Sequence, residues 1–143
     1  WSEHPDYRVE HALLRILRYP LVGVDHSGRA FMGLAVASRH AKVRTQLMTR
    51  FVEPLLSADE MARARATGLA MRLGYTLSGG VVSLLEQTSL TRDGDRLVLQ
   101  MPDHADVLVG DVVQRRFKSL AKALGCAPKV TYVPASESEG ALA

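Results

Sequence analysis

The apolar positions of the first eighty residues recur mostly with a helical period, and the pattern then changes to alternation. Over residues 5–18, Val9, Leu13, Ile16 and Leu17 follow helical spacing, Pro5 suits a first turn and Pro20 ends the segment. A second helix is predicted over 26–41 behind Asp25, whose side chain can accept from the free amides of a first turn. Its middle, Ala30 to Ala37, is apolar almost all round, which requires neighbours on several sides. Residues 42–56 carry a weaker pattern, and Arg44 to Phe51 could form a short helix before Pro54. Ser57-Ala58-Asp59-Glu60 is a capping box. It opens a long helix with an apolar stripe of Ala62, Ala66, Leu69, Ala70, Leu73 and Leu77, closed by Gly79-Gly80.

Alternation begins at Thr88. Residues 88–92 and 95–101 flank Asp93-Gly94 and predict a β-hairpin, because Asp-Gly between alternating segments is a strong turn signal. Pro102 ends the second strand. Asp103 is placed to cap a helix over 104–124, with Ala105, Leu108, Val109, Val112, Leu120, Ala121 and Leu124 on one side and Phe117 close to it. Gly125 closes that helix, and residues 129–133 read as a third strand. The expected fold is mostly α with a small α+β unit: a helical region over 1–86, a strand–strand–helix–strand unit over 87–134, and a small, acidic, disordered tail over 135–143.

Composition narrows the functional classes. The 143 residues are 47% hydrophobic and 23% charged, near the values of ordinary globular domains. No apolar run approaches the ~18 residues of a membrane span. No basic-then-apolar leader opens the chain, and Trp1 is not an initiator methionine, so the chain is expected to start inside a longer protein. The single Cys126 excludes an internal disulfide and a cysteine-rich zinc site, and fits a reducing compartment.

The net charge of +3 is uneven: residues 1–80 hold eleven Lys/Arg against seven Asp/Glu, whereas residues 81–143 hold seven against eight. Arginine outnumbers lysine fourteen to four, and its planar fork of donors suits phosphate oxygens. Arg8, His11, Arg15 and Arg18 form one stripe on the first helix. On the second, Arg29, Gly33, Val36 and His40 share a face, which reads either as close helix packing or as a groove for an anion. Arg39, His40, Lys42 and Arg44 cluster where cations also complement a helix C-terminus.

Catalytic signatures are missing. The five histidines, His4, His11, His26, His40 and His104, form no recognisable ligand pair, and no nucleophile elbow or phosphate loop is present. What remains is basic character suited to a polyanion.

Certain strings carry a family resemblance: His4-Pro5-Asp6-Tyr7-Arg8, then Gly23-Val24-Asp25-His26-Ser27-Gly28-Arg29-Ala30-Phe31, then Arg39-His40 and Leu77-Ser78-Gly79-Gly80. In order and spacing they resemble the C-terminal region of the exopolyphosphatase and guanosine pentaphosphate phosphohydrolase family, over about residues 1–133. The resemblance implies that residues 1–86 are the second half of an HD-like helical bundle. It places the catalytic machinery in an N-terminal actin-like domain absent from this chain. The expected role is therefore a C-terminal accessory domain that aids polyphosphate binding and dimerisation and is not active alone. Arg8, Arg29, Arg39 and His40 match the family's motif positions and are the expected anion-binding residues; no catalytic or metal residue is carried over. The resemblance further implies polyphosphate or guanosine pentaphosphate as ligand of the parent enzyme, a homodimer, no membrane, a cytoplasmic setting, no cofactor in this chain and a divalent cation such as Mg for the parent. The alternative is a basic nucleic-acid-binding helical module. Against it, aromatic residues are 6% of the chain and no strand shows a base-stacking aromatic pair. A self-contained HD-type hydrolase is the third reading, disfavoured by the missing metal-ligand motif.

Overall fold

Helices α1 (Pro5–Arg18), α2 (His26–His40) and α3 (Ala58–Ser78) dominate the first part of the computed structural model. Strands β1 (Ser89–Asp93) and β2 (Arg96–Pro102), helix α4 (Asp111–Ala123) and strand β3 (Ala127–Val133) follow. The structure describes residues 5–40, 48–79, 85–103 and 109–134. The chain divides into two compact units, Trp1–Met71 and Arg72–Ala143, and the division falls inside α3. The fold is mostly α with a small α+β unit, as the periodicity predicts. The expected tail over 135–143 lies outside the described residues.

In the first unit α1 and α2 form a helical hairpin joined by a turn through Gly23 at φ 80°. Asp25 caps α2: its Oδ1 accepts from the Gly28 amide at 2.7 Å and from the Ser27 hydroxyl at 3.0 Å. The capping box of α3 forms in both directions. The Glu60 amide donates to Ser57 Oγ at 3.2 Å, while Glu60 Oε2 accepts from the Ser57 amide at 2.8 Å. Val9, Leu13, Ala30, Leu34, Ala37, Met48, Val52, Leu56 and Ala64 make the buried core, with Leu17, Phe31 and Met61 against it. Ile16, expected in the apolar stripe, is only half-buried.

Two glycines set the helix spacing. A Cβ on Gly33 would lie 2.6 Å from Leu13 Cδ1, so α1 enters the space that a side chain would need. A Cβ on Gly68 would fall on the Ala35 carbonyl oxygen, 2.7 Å from Ser38 Cβ and 2.9 Å from the Arg39 amide nitrogen. The backbone of α3 therefore meets that of α2 there. The predicted stripe of α3 is buried at Ala66, Leu73 and Leu77, whereas Ala62 is exposed and Ala64 and Gly68 are buried beside it. The weakly patterned segment before α3 is a π-helical turn, Met48–Val52, running into a 3-10 turn, Glu53–Leu55. The start of the short helix expected from Arg44 lies outside the described residues.

The second unit orders its strands β1-β2-β3, with β1 antiparallel and β3 parallel to β2. The hairpin turn is one residue later than the sequence suggests. Asp93 pairs with Arg96, and Gly94-Asp95 is the two-residue loop, Gly94 at φ 56°. Asp95 has no positive φ, so the loop takes the pattern with glycine at the first central position rather than an Asp-Gly turn. Leu97, Leu99 and Met101 are buried on one side of β2. α4 lies against β3 and buries Val113, Phe117, Leu120 and Ala121. The helix predicted over 104–124 begins only at Asp111, because Gly110 is extended at φ −69°, ψ 173° and takes the N-cap position. Of the expected apolar side, Phe117, Leu120 and Ala121 are buried, whereas Val112 and Leu124 are exposed. Residues 104–108 lie outside the described residues.

Candidate functional site

The sequence reading places its chemistry in cations, and the helices determine where these go. α1 buries Val9 and Leu13 while His11, Arg15 and Arg18 are exposed on the other side. Their spacing of four and three makes one row. None of the three takes part in an ion pair among the described residues. Arg8 continues the row by spacing, and its side chain lies outside the described residues.

On α2 the three expected anion-binding residues separate into two groups. Arg39 and His40 sit in the last turn, where the Arg39 charge complements the carbonyl end of the helix. Arg29 lies in the first turns, about 15 Å away at 1.5 Å per residue. Its Nε donates to the Asp25 carbonyl oxygen at 3.4 Å. Between the two groups, the face through Gly33 is occupied by Leu13, so close helix packing accounts for it at that point. Lys42 and Arg44, and His4 and His104, lie outside the described residues.

The cap of α2 and the first turn of α3 carry carboxylates, Asp25 and Glu60. The Asp25 carboxyl is held below the usual carboxylate range, first by the Gly28 amide and then by the Ser27 hydroxyl, with His26 and Arg29 adding attraction. Glu60 is lowered in the same way by the Ser57 amide and hydroxyl. The Asp25 charge acts weakly in the opposite direction on Glu60, so the two caps are near neighbours. With Gly68 against Ala35 to Arg39, this means α2 and α3 run in the same general direction. The anionic caps stand at one end of the pair, and Arg39 and His40 stand toward the other.

Cys126 has a structural position. The Gly125 amide donates to Lys122 O at 3.2 Å and the Cys126 amide to Ala121 O at 2.9 Å, with Gly125 at φ 66°. This is a Schellman closure of α4, with the buried Cys126 at its hydrophobic position. Among the described residues, no three His, Cys, Asp or Glu side chains gather so as to hold a metal ion. No described helix is long and apolar enough to cross a membrane.

One basic surface escaped the sequence reading. Arg115, Lys118 and Lys122 are exposed along α4, opposite its buried side. The near-neutral charge sum of residues 81–143 hides them, because the acids of that half lie mostly off this helix. Helical spacing applied to 111–123 alone brings them out.

A family model described as "Exopolyphosphatase, C-terminal" matches residues 1–133. No curated protein matches the chain.

Proposed function

The chain belongs to the exopolyphosphatase C-terminal family, and from that premise we propose that it serves a parent phosphohydrolase as an accessory polyanion-holding and dimerising region. The observation that supports this most is the row His11, Arg15 and Arg18. It is exposed, free of ion pairs among the described residues, and set on a helix whose other side is anchored in the core. An extended chain of phosphates would lie along such a row, and each cation it neutralises releases condensed counterions. Arg8 extends the row, and Arg29, Arg39 and His40 are the family-matched cations assigned to the same ligand. On this reading the helical unit is part of an HD-like bundle and the protein works in the cytoplasm. Hydrolysis, with its divalent cation, belongs to the catalytic domain of the parent. The parent's preference between polyphosphate and guanosine pentaphosphate is set there as well.

The test is binding of inorganic polyphosphate of graded length to the purified chain, with phosphate release measured alongside. The reading expects affinity to rise with chain length, steep weakening with salt, and no phosphate release. Length-independent binding, or release of phosphate by the chain alone, would contradict it. Sedimentation of the same sample tests the dimer, which the reading expects to persist at micromolar concentration.

A further inference from the structure

The solvent side of α4 repeats, in the second unit, the arrangement seen on α1. Viewed down the helix, Arg115, Lys118, Ser119 and Lys122 fall within one sector, opposite Val113, Phe117, Leu120 and Ala121. All four are exposed, and the four of the other side are buried. Asp111 is the single acid of the helix and stands in its first turn. No ion pair engages Arg115, Arg116, Lys118 or Lys122 among the described residues. Local bonds fix the base of the row: Arg115 Nε donates to the Asp111 carbonyl oxygen at 3.3 Å, and Ser119 Oγ donates to the Arg115 carbonyl oxygen at 2.8 Å. The Arg115 guanidinium is thereby tethered along the helix through Nε, and its terminal amino groups make no hydrogen bond among the described residues. Arg116 stands outside this row, about 100° round the helix from Arg115, and its buried Nε has no hydrogen-bond partner among the described residues.

We propose that this face of α4 is itself a contact row for inorganic polyphosphate, with Arg115, Lys118 and Lys122 as the phosphate contacts. The proposal rests on the polyphosphate reading above. From Arg115 to Lys122 the row runs about 10 Å along the helix axis. A single phosphate group cannot span that length, whereas a chain of phosphates engages all three cations at once. Charge complementarity favours a ligand whose negative charge is dense and continuous. Single-stranded RNA needs stacking platforms as well, and the exposed sector of α4 offers no aromatic side chain.

The experiment compares the full chain with two triple variants, Arg115→Gln/Lys118→Gln/Lys122→Gln on α4 and His11→Gln/Arg15→Gln/Arg18→Gln on α1. Long-chain polyphosphate, tripolyphosphate and a single-stranded RNA are the probes, each titrated between about 50 and 200 mM salt, the range over which multi-contact binding weakens steeply. Circular dichroism verifies that each variant is folded, and Arg115→Lys serves as the charge-keeping control. The proposal expects the α4 variant to bind long-chain polyphosphate at least tenfold more weakly. Its salt slope should be shallower by about 2, at roughly 0.7 per lost contact on a single-stranded polyanion. Arg115→Lys should keep most of the affinity, and tripolyphosphate should hardly respond. If the α1 variant loses binding while the α4 variant matches the unmodified chain, this proposal falls and the α1 reading stands. If the unmodified chain binds no polyphosphate, both fall. If RNA binds more tightly than polyphosphate and the α4 variant abolishes that binding, the row is a nucleic-acid surface and the polyphosphate assignment is overturned.

Discussion

Two glycines six residues apart in α3 stand in opposite surroundings. In the first unit, a Cβ on Gly68 would strike the Ala35 carbonyl oxygen and crowd Ser38 and Arg39. In the second, the nearest described atom to a Cβ on Gly74 is Leu85 Cδ2 at 3.9 Å, an ordinary van der Waals contact. The first unit thus adds close backbone approach to its side-chain core, with glycine used where one helix touches another. The second is assembled by side chains: the apolar side of β2 and that of α4, with Leu73 and Leu77 of α3, supply most of its buried residues. Both units then expose a basic row on a helix whose opposite side is buried.

The largest expected effect sharpens this contrast from the side-chain end. Phe117 is 2% exposed and among the largest fully buried side chains. Phe117→Ala should lower stability by about 3–5 kcal/mol, with hydrogen exchange in α4 and β3 rising first. Next comes addition in the first unit. Gly68→Ala would gain about 1 kcal/mol of helix propensity, but the atoms it meets are mostly backbone and cannot yield. Overpacking of this kind costs typically 1–3 kcal/mol, occasionally more, so a net loss is expected in urea unfolding. The same substitution at Gly74 should reverse sign and stabilise by up to about 1 kcal/mol. Equal outcomes at the two positions would break the comparison.

The smallest effect concerns acid. Asp25 and Glu60 are both lowered by hydrogen bonds made only when α2 and α3 are capped. A carboxyl with a depressed folded pKa contributes stability that is complete above its ordinary value, 3.8 for Asp25 and 4.5 for Glu60, and is lost as pH falls through the lower folded value. Stability of the first unit should therefore decline below about pH 4.5, and Asp25→Asn should remove part of that decline. Hydrogen exchange at the starts of α2 and α3, measured at pH 6 and pH 3, follows it. An unchanged decline in the variant would count against the cap as its cause.

Much of the fold is legible in local residue types. Pro5 and Pro20 bound α1, Asp25 and Ser57-Glu60 open α2 and α3, and Gly125 closes α4, because caps and breakers act within a few residues. What the sequence does not show is set by tertiary contact. Gly68 reads as an incidental helix glycine until α2 is seen against it. Gly110 reads as helix interior until its extended backbone delays the start of α4 to Asp111, and Val112 reads as core although it is exposed. The family motifs direct attention to Arg29, Arg39 and His40, but helical spacing alone separates Arg29 from the other two. The stripe through His11, Arg15 and Arg18 is legible, because the apolar positions opposite fix which side faces solvent.

The central claim is that this region holds polyphosphate through cations rather than cleaving it. Its most direct test is the salt dependence of long-chain polyphosphate binding by the unmodified chain and by Arg15→Gln/Arg18→Gln. These exposed substitutions should change fold stability by no more than about 0.5 kcal/mol. The account expects the double variant to bind more weakly, with a salt slope shallower by about 1.4, at roughly 0.7 for each of two contacts. Equal affinity and equal slope in the two proteins, both fully folded, would contradict it.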